Sequence, residues 1–377
     1  MVETSYRRYQ PDFVSPPGET LRETIEAWDI TQAALAERTG KTVKAINEIV
    51  QGKSAITPET ALQLERVLGV PAAFWLNREA RYQEHRARAA AAEASKKDEI
   101  WARAFPIRAM ERRGWLPSTK GSAEGVNALL TFFGVASVEA WDVVWADVAA
   151  RYRKAKAFEG DREALVAWLR RGEILARDIE TNPWNATGFS EALRTIRSLT
   201  AKPFDEALPE AVALCASVGV VLVVEPELPK ARVFGATRWL APSRALVQLS
   251  LRYRTEDHFW FTFFHEAGHV LKHSKKEFFV EDGTHRSPEE EEADRFAGEV
   301  LIPARALEAF RRGWMRDKAS LLLFASNLGI GPGIVVGRLQ HDGAIPPSHL
   351  NDLRLRIDPA GVQRQTAKSA VAATAGA

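Results

Sequence analysis

Residues 265–269 read His-Glu-Ala-Gly-His, an H-E-x-x-H arrangement whose residue types suit metal-assisted hydrolysis. On a helix, positions i and i+4 share a face, so the imidazoles of His265 and His269 can converge on one cation. Glu266, one residue along, can reach water held at that cation and act as general base. The flanking Phe259, Trp260, Phe261, Phe263 and Phe264 predict a deeply buried helix. Ala267 and Gly268 are small and uncharged, which leaves room for a strand or substrate to approach. Such a pentapeptide also arises by chance on helices with surface histidines, so a third ligand decides its meaning.

His273 continues the i+4 stripe, but eight residues of helix place it roughly 12 Å along the axis from His265, too far to share its ion. The metzincin spacing, which needs glycine at 272 and histidine at 275, is absent: both positions are lysine. Downstream, Pro288 and the acidic run Glu289 to Glu292 predict a helix start. Ala293, Phe296 and Ala297, with Val300 or Leu301, form its apolar stripe. Glu290 and Asp294 stand four apart and share another face. That spacing suits Glu290 as third ligand of a His2Glu zinc site, with Asp294 holding the far nitrogen of one histidine. Glu291 is the alternative register, and a solvated acidic helix start is the plainer explanation of the same residues.

HEAGH followed by EEEADRFAGEVLIP resembles the ImmA/IrrE metallopeptidases, in which H-E-x-x-H precedes E-x-x-A-(N/D)-x-F-A and a Leu/Ile-Pro end. The resemblance implies a gluzincin-like zinc protease with His265, Glu266, His269, Glu290 and Asp294 at the matching positions. Members of this kind clip repressor proteins, so it also implies a protein or peptide substrate.

The elements that must carry these residues occupy a chain of 377 residues, 46% hydrophobic and 27% charged, with a formal net charge of +2. This is the composition of a globular protein of two or three domains. No run of about 18 apolar residues suggests a membrane span, and residues 1–13 lack an apolar signal segment. Cys215, the single cysteine, lies in an apolar run and reads as a buried small side chain in a reducing cytoplasm.

Residues 1–80 predict four short helices. The first covers about residues 20–28. Thr31 caps the second, Gly40 makes a turn, Thr42 caps a third over 43–50, and Thr57-Pro58 opens the fourth. Two short helices joined at a glycine form a helix-turn-helix, whose second helix enters the major groove by its N-terminal end. Lys41, Thr42, Lys44, Asn47 and Glu48 are its outward polar residues. Gln32 can brace a phosphate at the start of the preceding helix, and Lys53 can reach the DNA backbone. Basic and acidic residues balance over 1–98, so any DNA surface must be local, and a protein-binding module on the same fold is the alternative. Residues 15–77, from PPGETLRE to the ending FWLN, resemble the HigA-type (Xre-like) antitoxin module. That resemblance implies a homodimeric, operator-binding repressor fold, with a toxin or repressor as a further partner.

Residues 81–98 read as a helical connector rich in alanine and charge. Residues 99–205 read as an all-helical, tryptophan-rich middle region without a recognisable motif. Residues 206–356 form the α+β zincin domain. It has strands at 218–224, 235–240, 245–253 and 278–281. The third alternates inward and outward, suggesting a half-exposed strand that pairs with an extended substrate. His285 and His341 are further histidines able to serve an oxyanion. Residues 357–377 are predicted to be disordered. The fold class is therefore mainly α with a small β-sheet. The function expected is a DNA-binding regulator fused to a zinc endopeptidase. The alternative is an antitoxin-like repressor whose zinc domain senses or binds a partner with little turnover.

Overall fold

The computed structural model describes residues 14–145, 161–275, 278–281, 283, 287–359 and 362. It divides into two compact units, 1–99 and 100–377.

The first unit is all helical: α1 (Pro17–Ala27), α2 (Gln32–Thr39), α3 (Val43–Val50), α4 (Pro58–Leu68) and α5 (Ala72–Ser95). Its starts follow the cap residues. The hydroxyls of Thr31, Thr42 and Thr57 accept hydrogen bonds from the backbone amides of Ala34, Ala45 and Thr60. The α2–α3 turn closes at Gly40, whose φ of 69° a side chain would resist. Leu21, Ile25, Leu35, Ile46, Ile49, Leu64, Leu68 and Trp75 form one core. The first helix starts earlier than the expected residue 20, at Pro17, because Gly18 packs directly on the end of α3. The expected connector 81–98 is no separate element: α5 runs unbroken from Ala72 to Ser95.

The second unit contains α6 (Glu99–Arg103), α7 (Ile107–Arg112), α8 (Ser122–Phe133), α9 (described over 138–145), α10 (Arg162–Arg177), α11 (Ala186–Leu199) and α12 (Phe204–Ala216). It also holds a mixed sheet of β1 (Val220–Val224), β2 (Gly235–Ala241), β3 (Arg244–Leu249) and β4 (Phe279–Glu281), in the order β1-β3-β2-β4. β1 and β3 are parallel; β2 is antiparallel to both β3 and β4. Val220, Leu222 and Val224 face the core that includes α12 and α13 (Glu256–Lys272), while Val221 and Val223 face Ala176 of α10. A strand covered on both faces needs an uninterrupted apolar run, which is why β1 reads Val-Val-Leu-Val-Val. The remaining helices are α14 (Pro288–Leu301), α15 (Ala304–Gly313), α16 (Lys318–Leu328) and α17 (Pro332–His341). Cys215 is buried in the same core, and burial pushes its thiol pKa up.

Mainly α with a small sheet is what the structure shows, but three further expectations differ. The division at 205/206 falls inside one compact unit, because α8, α9 and α10 share a core with Leu228, Ala231, Val233 and Ala236. β3 is not half-exposed: Ala245 to Leu249 are all buried, and the strand lies between β1 and β2. With both edges paired, β3 cannot take a substrate strand. Disorder from 357 onward does not hold at Ile357 and Val362, which are buried in the main core; residues 363–377 lie outside those described. Among the described residues, the stretch Ser122–Trp145 is long and apolar enough to cross a membrane. Gly134 breaks it in the left-handed conformation, and Val126, Leu129, Phe133, Trp141 and Trp145 are buried in the protein's own core.

Candidate metal centre and nucleic-acid interface

α13 and α14 pack against each other along their length. Gly268 permits the approach, since a Cβ there would meet the Ala293 Cα at 3.2 Å. The packing brings the sequence-predicted residues together. His265 Nε2 lies 3.1 Å from His269 Nε2 and 2.9 Å from Glu290 Oε2, and His269 Nε2 lies 3.4 Å from Glu290 Oε2. All three side chains are buried and form a group able to hold a metal ion. Tetrahedral zinc with bonds of about 2.0–2.1 Å has ligand–ligand edges of about 3.3 Å, so the donor set and its spacing fit that ion. Asp294 Oδ1 lies 2.9 Å from His265 Nδ1, as the i+4 spacing suggested. Glu291 turns away toward Arg295, so the two glutamates have different surroundings.

Glu266 is fully buried between α13 and β2. The Thr237 hydroxyl donates to its Oε2 at 2.6 Å, while Oε1 has no partner. Gly235 makes the space: a Cβ there would lie 2.5 Å from Glu266 Oε1. A buried carboxyl with one oxygen held and one without a partner can exchange a proton with a group brought against it. Burial pushes the Glu266 carboxyl up to about 8, and Glu281 up to about 7. Burial would also raise Glu290, but hydrogen bonds with His265 and His269 outweigh it and hold that carboxyl well below the usual range. Burial lowers His269, whereas His265 is raised above its ordinary value despite burial by Asp294 and Glu290. A cation among these groups would pull every carboxyl down.

Four neighbours escaped the sequence. His273 lies beyond reach of a shared ion, but its Nδ1 sits 2.9 Å from His269 Nδ1. The i+4 stripe was visible; its use as a brace was not. Phe279 stacks on the His269 ring with centroids 4.1 Å apart. Thr237 and Glu281 reach the centre through the β2–β4 register, which pairs Gly235 with Glu281 and Thr237 with Phe279. That pairing leaves no local signature. Of the other histidines, His341 is exposed and faces Asp342, and His285 lies outside the described residues. Replacing His273 by alanine is expected to weaken zinc affinity about tenfold, since orienting partners of ligand histidines contribute on that scale. Competition with a chromophoric chelator measures it, and unchanged affinity would remove His273 from the centre.

In the first unit, Thr42, Val43, Lys44 and Asn47 form the exposed face of α3, and Lys53 is exposed just after it. Lys44 makes only an exposed ion pair of 3.9 Å with Glu48. Asn47 accepts a hydrogen bond from Gln51. The Thr42 oxygen caps α3 by accepting from the Ala45 amide, and its O–H remains free to donate to another partner. Gln32 and Lys41 are half-buried at the two ends of α2.

Comparison with known proteins finds a family match in each unit. Residues 21–75 match the helix-turn-helix family model, and residues 235–340 match the IrrE N-terminal-like domain, a peptidase family. The chain joins a helix-turn-helix domain to an IrrE-like domain. The second match contains His265, Glu266, His269 and Glu290, and also Gly235, Thr237 and Glu281. The virulence-associated protein I of Dichelobacter nodosus is 40% identical over 67 residues, covering 18% of this chain and 62% of that protein. Antitoxin HigA of Pseudomonas aeruginosa, solved with the higBA promoter, is 34% identical over 21% of this chain and 86% of its own, with a TM-score of 0.20. A HigA-family antidote protein from Coxiella burnetii is 28% identical over 22% of this chain and 94% of its own, with a TM-score of 0.21.

Proposed function

We propose that this chain is a cytoplasmic, DNA-binding regulator carrying a zinc-dependent endopeptidase domain that cuts a peptide bond in a protein target. The observation that carries the peptidase half is the convergence of three buried donors, with edges of 2.9–3.4 Å, beside a buried glutamate with one free oxygen. His265, His269 and Glu290 would hold the zinc, which when bound supplies a Lewis acid and lowers the pKa of water. Glu266 takes a proton at Oε1 and returns it to the leaving amine, while Thr237 fixes its other oxygen. Asp294 and His273 hold the outer nitrogens of His265 and His269, setting which nitrogen faces inward. A peptide library cut by the zinc-loaded protein, and not after chelation, is the expected result. No cleavage of any sequence would remove the peptidase assignment.

For the DNA half, the exposed N-terminal face of α3 is the major-groove surface, with Lys44 and Asn47 at its centre. With an operator selected from random duplexes, Asn47→Ala is expected to lose about 1–3 kcal/mol of discrimination at one base position. Lys44→Ala is expected to weaken all sequences alike and to reduce the salt slope by about 1. Binding that ignores both changes would place the DNA surface elsewhere.

A further inference from the structure

The exposed side chains of α3 are Val43, Lys44 and Asn47, and Val43 alone among them is apolar. It is 52% exposed, because the helix meets the core of its unit through Ile46 and Ile49 instead. Thr42 caps α3, so Val43 is its first residue and stands at the N-terminal end that a major groove receives. Its β-branched side chain strongly prefers one rotamer in a helix, so little freedom is lost when it meets a surface.

The outward residues fall into two stripes of i+4 spacing. Lys44 and Glu48 form a charged one, joined by their ion pair. Val43, Asn47 and Gln51 form an uncharged one. Within it, Gln51 Nε2 donates to Asn47 Oδ1 at 3.0 Å. That bond orients the Asn47 amide without exhausting it. The oxygen keeps a lone pair and the nitrogen both its N–H groups, the set that pairs with the N6 and N7 edge of adenine.

Val43 offers no donor or acceptor. The thymine C5-methyl is the apolar group that a major-groove edge presents. Set against the polar edge of another base, Val43 would cover a donor or acceptor and leave it without a partner. We propose that Val43 is a specificity-determining residue that packs on a thymine methyl, so that the uncharged stripe of α3 reads a thymine close to the adenine read by Asn47. Four residues of helix span about 6 Å and stacked base pairs rise about 3.4 Å, which sets the two bases about two steps apart. This rests on the DNA-binding reading above.

The test uses the full-length chain and the operator enriched from random duplexes. Each thymine in the enriched site is replaced singly by deoxyuridine, which lacks the methyl group and keeps every hydrogen-bonding atom. One replacement, about two base pairs from the adenine, is expected to weaken binding by the parent about fourfold, the factor that one buried methyl group is worth. Val43→Ala is expected to bind the thymine and uracil duplexes alike. Its fold is not at issue, since alanine is the better helix former at an exposed position. An enriched site without such a thymine, or thymine preference kept in full by Val43→Ala, would overturn the proposal. Asn47→Ala and Lys44→Ala separate the two levels. If they weaken binding as expected while Val43→Ala behaves as parent, α3 remains the reading helix and Val43 is not a reader. If no sequence is enriched, or if both leave binding unchanged, DNA reading by α3 falls and the proposal with it.

Discussion

Glu266→Gln is expected to keep its zinc and lose peptide hydrolysis by about 10²–10⁴-fold, the usual contribution of a positioned general base. The amide is nearly isosteric and can still accept the Thr237 hydrogen bond that the carboxylate accepts at 2.6 Å. It can neither take nor return a proton. The surroundings make the substitution tolerable, because the glutamate is fully buried with a raised pKa, and a neutral side chain there costs no charge desolvation. Metal content and turnover measured on one preparation separate the two roles. Zinc retained with hydrolysis abolished supports the assignment. Undiminished hydrolysis would mean that another group moves the proton.

The second large effect concerns folding of the helix-turn-helix unit. A Cβ on Gly18 would overlap the carbonyl oxygen of Ile49 and lie 2.8 Å from that of Val50, both at the end of α3. These are backbone atoms and cannot rotate aside, so α1 must shift off α3. On an isolated helix glycine to alanine would be favourable by about 1 kcal/mol. Here overpacking reverses the sign, and Gly18→Ala should cost about 2–3 kcal/mol. For a unit of this size that lowers the melting temperature by about 10–20 °C. Hydrogen exchange should show faster opening of α1 and α3, with operator affinity falling alongside. A raised melting temperature, as helix propensity alone would give, would contradict the packing.

Gly18 also shows where the sequence runs out. Pro16-Pro17-Gly18-Glu19 reads as a helix start, and it is one, but the contact with a segment thirty residues away has no local signature. What depends on helical spacing was legible: His265 with His269, Glu290 with Asp294, and the threonine caps of α2, α3 and α4. The same periodicity placed Glu290 ahead of Glu291, and the geometry favours that register. What depends on strand register was not legible. β3 alternates well enough to look half-exposed, yet α10 covers one of its faces and α12 and α13 the other. Thr237 and Glu281 reach the centre only because β2 and β4 pair at Gly235 and Glu281. The tryptophan-rich helices told their burial truthfully but not their partner: they share a core with the loop and strand that follow β1.

The account stands most directly on the identity of the third ligand. Zinc content of the gently purified chain, measured beside Glu290→Ala and Glu291→Ala, tests it. One zinc per chain in the parent and in Glu291→Ala, and none in Glu290→Ala, is the predicted result. It follows from Glu290 standing 2.9 Å from His265 Nε2 while Glu291 faces Arg295. A parent without zinc, or zinc lost with Glu291 and kept without Glu290, would contradict the centre as described.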